Sequence, residues 1–132
     1  MGFFGTEAGW FADMTLIAQT AGLLILFLGW KYAKTKNFLK HDKTAKTSIF
    51  LSGLSFIWMS FSLVSNLLSL ISTTLRSLLI FSHVIIGLLA LFMGLFLVLG
   101  EIKKTRVFMV VAFSSWTVAM FLGVILYYIL FI

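Results

Sequence analysis

Four stretches of this sequence, about residues 10–30, 47–71, 78–99 and 107–131, are apolar, and Asp13 is their only charged residue. Each has the length of about 20 residues that a helix needs to cross the hydrocarbon of a bilayer. That pattern leaves few folds open, because only helices and closed barrels satisfy their own backbone in lipid. Composition closes the remaining routes. The chain has 132 residues, 61% hydrophobic and 11% charged, with a mean hydropathy of +1.13. A soluble domain carries about 25% charged residues, and a domain this small buries too little surface to hide so much apolar area. A soluble enzyme, a nucleic-acid binder and a disordered tail are excluded. The expectation is an all-α integral membrane four-helix bundle forming one domain, residues 1–132.

The net charge of +6 becomes informative once the charges are located. Lys31, Lys34, Lys36, Lys40, Lys43 and Lys46 follow the first run, and Lys103, Lys104 and Arg106 follow the third. Arg76 alone lies between the second and third. Nine of ten basic residues therefore share one side, which the positive-inside rule assigns to the cytoplasm. Both termini are expected outside, in a multi-pass protein of the plasma membrane. The basic surplus reads as an orientation signal and a contact for anionic lipid, not as a DNA-binding patch. Residues 1–6 fit a loose myristoylation pattern, but an outward terminus would not meet a cytoplasmic acyltransferase. No basic segment precedes the first run, so a cleaved signal peptide is not expected. Trp10, Trp30, Tyr32 and the Tyr127–Tyr128 pair sit near span ends, as interfacial anchors do.

Small and polar residues recur at helical spacing. In the second run, Ser48, Ser52, Ser55, Met59, Ser62, Asn66, Ser69 and Thr73 alternate steps of four and three, forming one stripe. Ala12, Thr15, Gln19, Gly22 and Gly29 make a similar face on the first, and Ala112, Ser115, Ala119 and Gly123 on the fourth. Such stripes bring membrane helices close together. Ser52, Ser55, Ser62, Asn66 and Ser69 are accordingly candidates for packing against a partner. Gln19 and Asn66 should face inward, because an amide is costly in lipid.

The third run carries the chemistry. His83 is followed by Gly87, Ala90 and Gly94, at offsets of four, seven and eleven. An imidazole above three small residues on one face suits a haem, which needs a nitrogen ligand and room for a flat ring. Interhelical hydrogen bonding explains the same histidine, and a proton-relay or quinone role is a third option. His41, expected in a wet first loop beside Asp42, cannot share an iron with His83. The two lie about 25 Å apart along the bundle at 1.5 Å per residue. Met59 is a weak candidate for a second ligand. Without cysteine there is no thiolate ligand or covalent c-type haem, and no spacing suggests hydrolytic or metal chemistry. Asp13 could serve a small four-helix transporter, although it lies close to the start of its run.

Three segments resemble the small four- or five-helix membrane proteins of the CtaM/YozB type, which are linked with haem-copper cytochrome oxidases and their assembly. They are GWKYAKTKNFLKHDKTAKTSIF with His41, LLIFSHVIIGLLALFMG with His83, and IKKTRVFMVVAFSSWTVAMFLGVILYYIL with Trp116 and Gly123. The match spans about residues 29–132. The family pattern carries further histidines near the outer end of the second helix and before the fourth. Here those stretches read SNLLSLIS and EIKKTR, and Ser115 stands where the family has a proline. The resemblance implies a non-catalytic accessory subunit or assembly factor of a terminal respiratory oxidase, with other membrane subunits as partners. The alternative is a b-type cytochrome with His83 as an axial ligand to haem b and a second ligand still missing.

Overall fold

A computed structural model describes residues 2–70 and 74–132, and its side chains except those at 62, 63, 65–70 and 74. Within them lie four helices: α1 (Trp10–Lys34), α2 (Phe38–Leu70), α3 (Thr74–Leu99) and α4 (Arg106–Phe131). Three of these are long and apolar enough to cross a membrane: Trp10–Lys34, Leu75–Leu99 and Arg106–Phe131. The fourth expected span, 47–71, runs into residues outside the described set.

The helices begin and end for local reasons. Lys31 and Lys34 occupy the last turn of α1, where cations suit the negative end of the helix dipole. The chain then reverses in three residues. Lys36 takes a left-handed φ of 58°, and the amides of Lys36 and Asn37 bond back to the carbonyls of Ala33 (3.1 Å) and Tyr32 (2.9 Å), a Schellman closure. Gly100, with φ 79°, ends α3 in the same way, the Glu101 amide bonding to the Phe96 carbonyl at 3.0 Å. Asn37 Oδ1 accepts from the Lys40 amide at 3.3 Å and Thr105 Oγ1 from the Phe108 amide at 3.4 Å, so α2 and α4 start on side-chain caps.

Three sequence expectations are corrected here. Helix α2 starts at Phe38, not near residue 47, so His41 and Asp42 are helical rather than in a loop. Arg76 lies in the first turn of α3, not between helices. The reason is common to all: charge forbids burial in lipid, not helix formation, and Lys is a good helix former. The extension is held by Asp42, which pairs with Lys46 at 2.5 Å one turn on and with Lys104 of the α3–α4 loop at 3.5 Å. The Lys46 hydrogen bond, followed by the two lysine charges, holds the Asp42 carboxyl below its ordinary value of 3.8. A depressed carboxyl stabilises the folded state above its unfolded pKa and ceases to as pH falls through the folded value. Melting curves of the wild type and Asp42→Asn in detergent should therefore differ slightly at pH 7 and converge below about pH 4. The pair is exposed, so the difference will be small.

Packing follows residue size. The two hairpins, α1–α2 and α3–α4, are each closely joined, and contacts between hairpins are sparser. Along α1–α2, Ser48 Oγ donates to the Gly22 carbonyl at 2.7 Å. A Cβ on Gly22 would come within 2.8 Å of Ser52 Oγ, and one on Gly29 within 2.7 Å of Thr44 Oγ1. Glycine at both positions lets the backbones approach this closely. Along α3–α4, Ala112 and Ala119 are buried. Large side chains such as Phe50, Phe61, Ile85, Phe92 and Phe121 point outward. Small inside and large outside inverts the soluble pattern.

Candidate functional site

Between the hairpins, away from the lysine-rich end, lies a cavity of about 610 Å³ lined by residues of all four helices. That is a volume typical of small-molecule sites. Trp116, buried and also in contact range of Gly94, is part of its wall. The stacked rings of Phe11 and Trp58, 4.2 Å apart, border it on the α1–α2 side.

His83 projects from α3 into this space. Its Nδ1 lies 2.9 Å from the Ala119 carbonyl oxygen on α4. A carbonyl only accepts, so Nδ1 carries the proton and Nε2 keeps a lone pair. No described group pairs with Nε2. The seat for the ring is made by Gly123, where a Cβ would fall 3.0 Å from His83 Cε1. Gly87 and Ala90 also line the cavity, and a side chain at Gly87 would meet open space. Gly94 does not line it: Ile49 and Trp116 pack against it. Of the expected four-residue face, three residues line the cavity and Gly94 packs helices instead, because Ile49 and Trp116 fill the space there.

The facing wall includes Gln19 and Ser52, the Ser52 hydroxyl being closed off against Gly22. Gln19 lines the cavity and its Nε2 donates to the Ser52 carbonyl at 3.3 Å. Ser52 is 3% exposed, and its Oγ is without a partner among the described buried side chains. Ser55 is buried too, and its hydroxyl bonds back to the Leu51 carbonyl. Ser52 and Ser55 therefore face the chain's own interior, where the narrow hydroxyl side lets α2 lie against α1. The side chains of Ser62, Asn66 and Ser69 lie outside the described residues.

His41 is placed elsewhere. It makes the same kind of bond as His83, Nδ1 to the Gly29 carbonyl at 2.9 Å, but within the α1–α2 hairpin, and it does not line the cavity. Asp13 is fully buried at the opposite end of the bundle from the lysines. It accepts from the Phe4 amide at 3.2 Å and from the Tyr127 hydroxyl. Thr6 Oγ1 lies 3.0 Å from Tyr127 Oη and accepts from the Ala8 amide at 3.3 Å. Residues 2–9 thereby fold over Asp13 and join the start of α1 to the end of α4. A Cβ on Gly2 would collide with the Asp13 carboxylate. Tyr127, which the sequence suggests only as an interfacial anchor, is the residue that sequence reasoning missed. The two lie 114 positions apart, and no local pattern links them.

Among the described residues, no group of three or more His, Cys, Asp and Glu could hold a metal ion. For a haem, the donors within the cavity are His83 Nε2 and the thioethers of Met59 and Met120. That set and the volume fit the group, although no basic side chain lines the cavity to meet a propionate. No family model, curated protein or solved structure matches this chain.

Proposed function

We propose that this chain is a multi-pass protein of the plasma membrane that acts as a non-catalytic accessory subunit or assembly factor of a terminal haem-copper oxidase. The His83 cavity is its working part. That cavity carries the reading: all four helices converge on a ligand-sized space with one imidazole nitrogen that no described group pairs. The oxidase as partner rests on the resemblance of residues 29–132 to the CtaM/YozB type. In this reading α2 also crosses the bilayer, through its uncharged stretch from Thr47 to Leu70, and the lysine-rich end faces the cytoplasm. Asp13 has a structural role, bonded to Phe4 and Tyr127, which weighs against its use as a transporter's ion carrier.

Orientation is directly testable, because the chain has no cysteine of its own. With an impermeant maleimide, Phe3→Cys should be labelled in intact cells, and Lys36→Cys only after permeabilisation. The reverse result would overturn the orientation. Association is tested by mild detergent extraction of the tagged protein. Oxidase subunits should co-purify, and a preparation free of them from oxidase-expressing cells would overturn the partnership.

A second reading is favoured by the His83 tautomer. Histidine ligands to metals commonly donate one N–H to a carbonyl and present the other nitrogen to the metal, and His83 is arranged in this way. Haem b held there would supply one-electron transfer. The purified protein should then show sharp bands in a reduced-minus-oxidised spectrum, and His83→Ala should abolish them.

A further inference from the structure

We propose that the groove between α1 and α2 at the lysine-rich end binds one anionic phospholipid, its phosphate on Lys40 and Lys43 and the start of an acyl chain along Ile25 and Leu28. The proposal needs α1 to cross the bilayer; neither the oxidase partner nor the His83 cavity enters it.

The lining of the groove comes first. It encloses about 330 Å³, and Ile25, Leu28 and Tyr32 of α1 form one side. Lys40 and Lys43 stand on the α2 side with Thr44 and Thr47, at offsets of three, four and seven that share one helix face. The lysines and Tyr32 lie toward the α1–α2 turn. Ile25 lies about 10 Å deeper along α1 than Tyr32, at 1.5 Å per residue. The groove is therefore basic at one end and apolar at the other.

Charge balance comes next. Asp42 is turned toward the other hairpin, where it pairs with Lys46 and with Lys104 of the α3–α4 loop. Neither Lys40 nor Lys43 has a carboxylate partner among the described residues. The Lys40 ammonium rests 5.5 Å from the centroid of the Tyr32 ring. The hydroxyl hydrogens of Thr44 and Thr47 already go to carbonyls one turn back, so the lysines carry the recognition. Two such ammonium groups on one face call for an anion.

Depth decides which anion. Tyrosine is a residue of the headgroup level, and Phe38 and Leu39, at the start of α2, expose large apolar side chains at this same end, as interfacial segments do. A phosphate on Lys40 and Lys43 is thus at the height of lipid headgroups, with apolar groove beneath it. Basic pockets between membrane helices hold anionic headgroups in this way. A free phosphate would leave Ile25 and Leu28 uncovered, and the ammonium of a choline headgroup would cancel the attraction to the lysines. What the groove adds to the diffuse pull of the basic end is a seat for one molecule.

The test titrates the full chain in mild detergent with phosphatidylglycerol or phosphatidylcholine and counts bound lipids by native mass spectrometry. The first phosphatidylglycerol should bind about twentyfold more tightly than the first phosphatidylcholine, each lysine at an anionic headgroup being worth about fivefold. Lys40→Gln with Lys43→Gln should bring phosphatidylglycerol down to the level of phosphatidylcholine. Both lysines are exposed, so the melting temperature should hold. Lys103→Gln with Arg106→Gln removes the same charge from the same end, on the other hairpin, and should leave the first site unchanged. Equal loss in the two double variants would reduce the effect to diffuse surface charge and overturn the proposal. So would equal binding of the two lipids, or displacement of phosphatidylglycerol by excess inorganic phosphate, which would mark a site for a small anion. A missing lipid preference in protein that still co-purifies with an oxidase discards the lipid site alone. A preference that holds where no oxidase co-purifies discards the accessory reading alone.

Discussion

Replacing Asp13 with alanine is expected to destabilise the protein by about 3 kcal/mol and to release residues 2–9 from the bundle. Asp13 is fully buried and is the acceptor for both the Phe4 amide and the Tyr127 hydroxyl. Truncation removes both bonds and leaves a partly buried amide without an acceptor, each loss being worth about 1–2 kcal/mol. Tyr127 retains Thr6, which limits the damage on α4. Asn at this position keeps an acceptor oxygen of the same reach and should lose less than half as much. Thermal unfolding in detergent gives the energy, and amide exchange at residues 4–8 gives the location. If Asp13→Ala and Tyr127→Phe were fully additive, the pair would not act as one unit.

The second large effect is expected at Gly123. Leucine there should cost about 3 kcal/mol, because its side chain must occupy the space of the His83 imidazole. Even a bare Cβ would lie 3.0 Å from His83 Cε1, so the ring has to leave and its bond to Ala119 goes with it. The expected signature is a compensating pair. His83→Ala alone opens a hole, Gly123→Leu alone overfills it, and the double variant should recover much of the loss. Gly87→Ala provides the contrast. Nothing lies within 4 Å of its new methyl, so it should gain about 1 kcal/mol from helix propensity alone. A double variant no better than the worse single one would show that the two residues do not share one space.

The helices were legible in the sequence because lipid punishes charge, and the runs without charge could be counted. Their ends were less legible. The stretch from Phe38 to Lys46 is polar enough to look like a loop, yet an Asn37 cap and the Asp42–Lys46 pair make it helix. The His83 face was half legible. The spacing to Gly87 and Ala90 is a one-dimensional property of a helix, and both line the cavity. Gly94 has the same spacing, but whether a small residue faces space or a neighbour depends on the helices opposite, and there Ile49 and Trp116 fill it. The serine stripe, expected as a packing face, has Ser48, Ser52 and Ser55 buried. Spacing marks a face, and only the fold assigns that face to the chain's own interior.

The sequence by itself therefore determined the all-helical class, three membrane-capable spans and the segregation of the basic residues to one side. These follow from composition along a line, where the free energy of placing each residue in lipid is nearly additive. Tertiary structure alone decided that Asp13 is clamped by Tyr127, that the Ser52 hydroxyl is packed unpaired against Gly22, and that His83 turns an unprotonated nitrogen toward a cavity. Each of those depends on groups 30 or more positions apart. Hydrogen bonds are directional and short, so a sequence can supply the donor and the acceptor while only the packed helices bring them together.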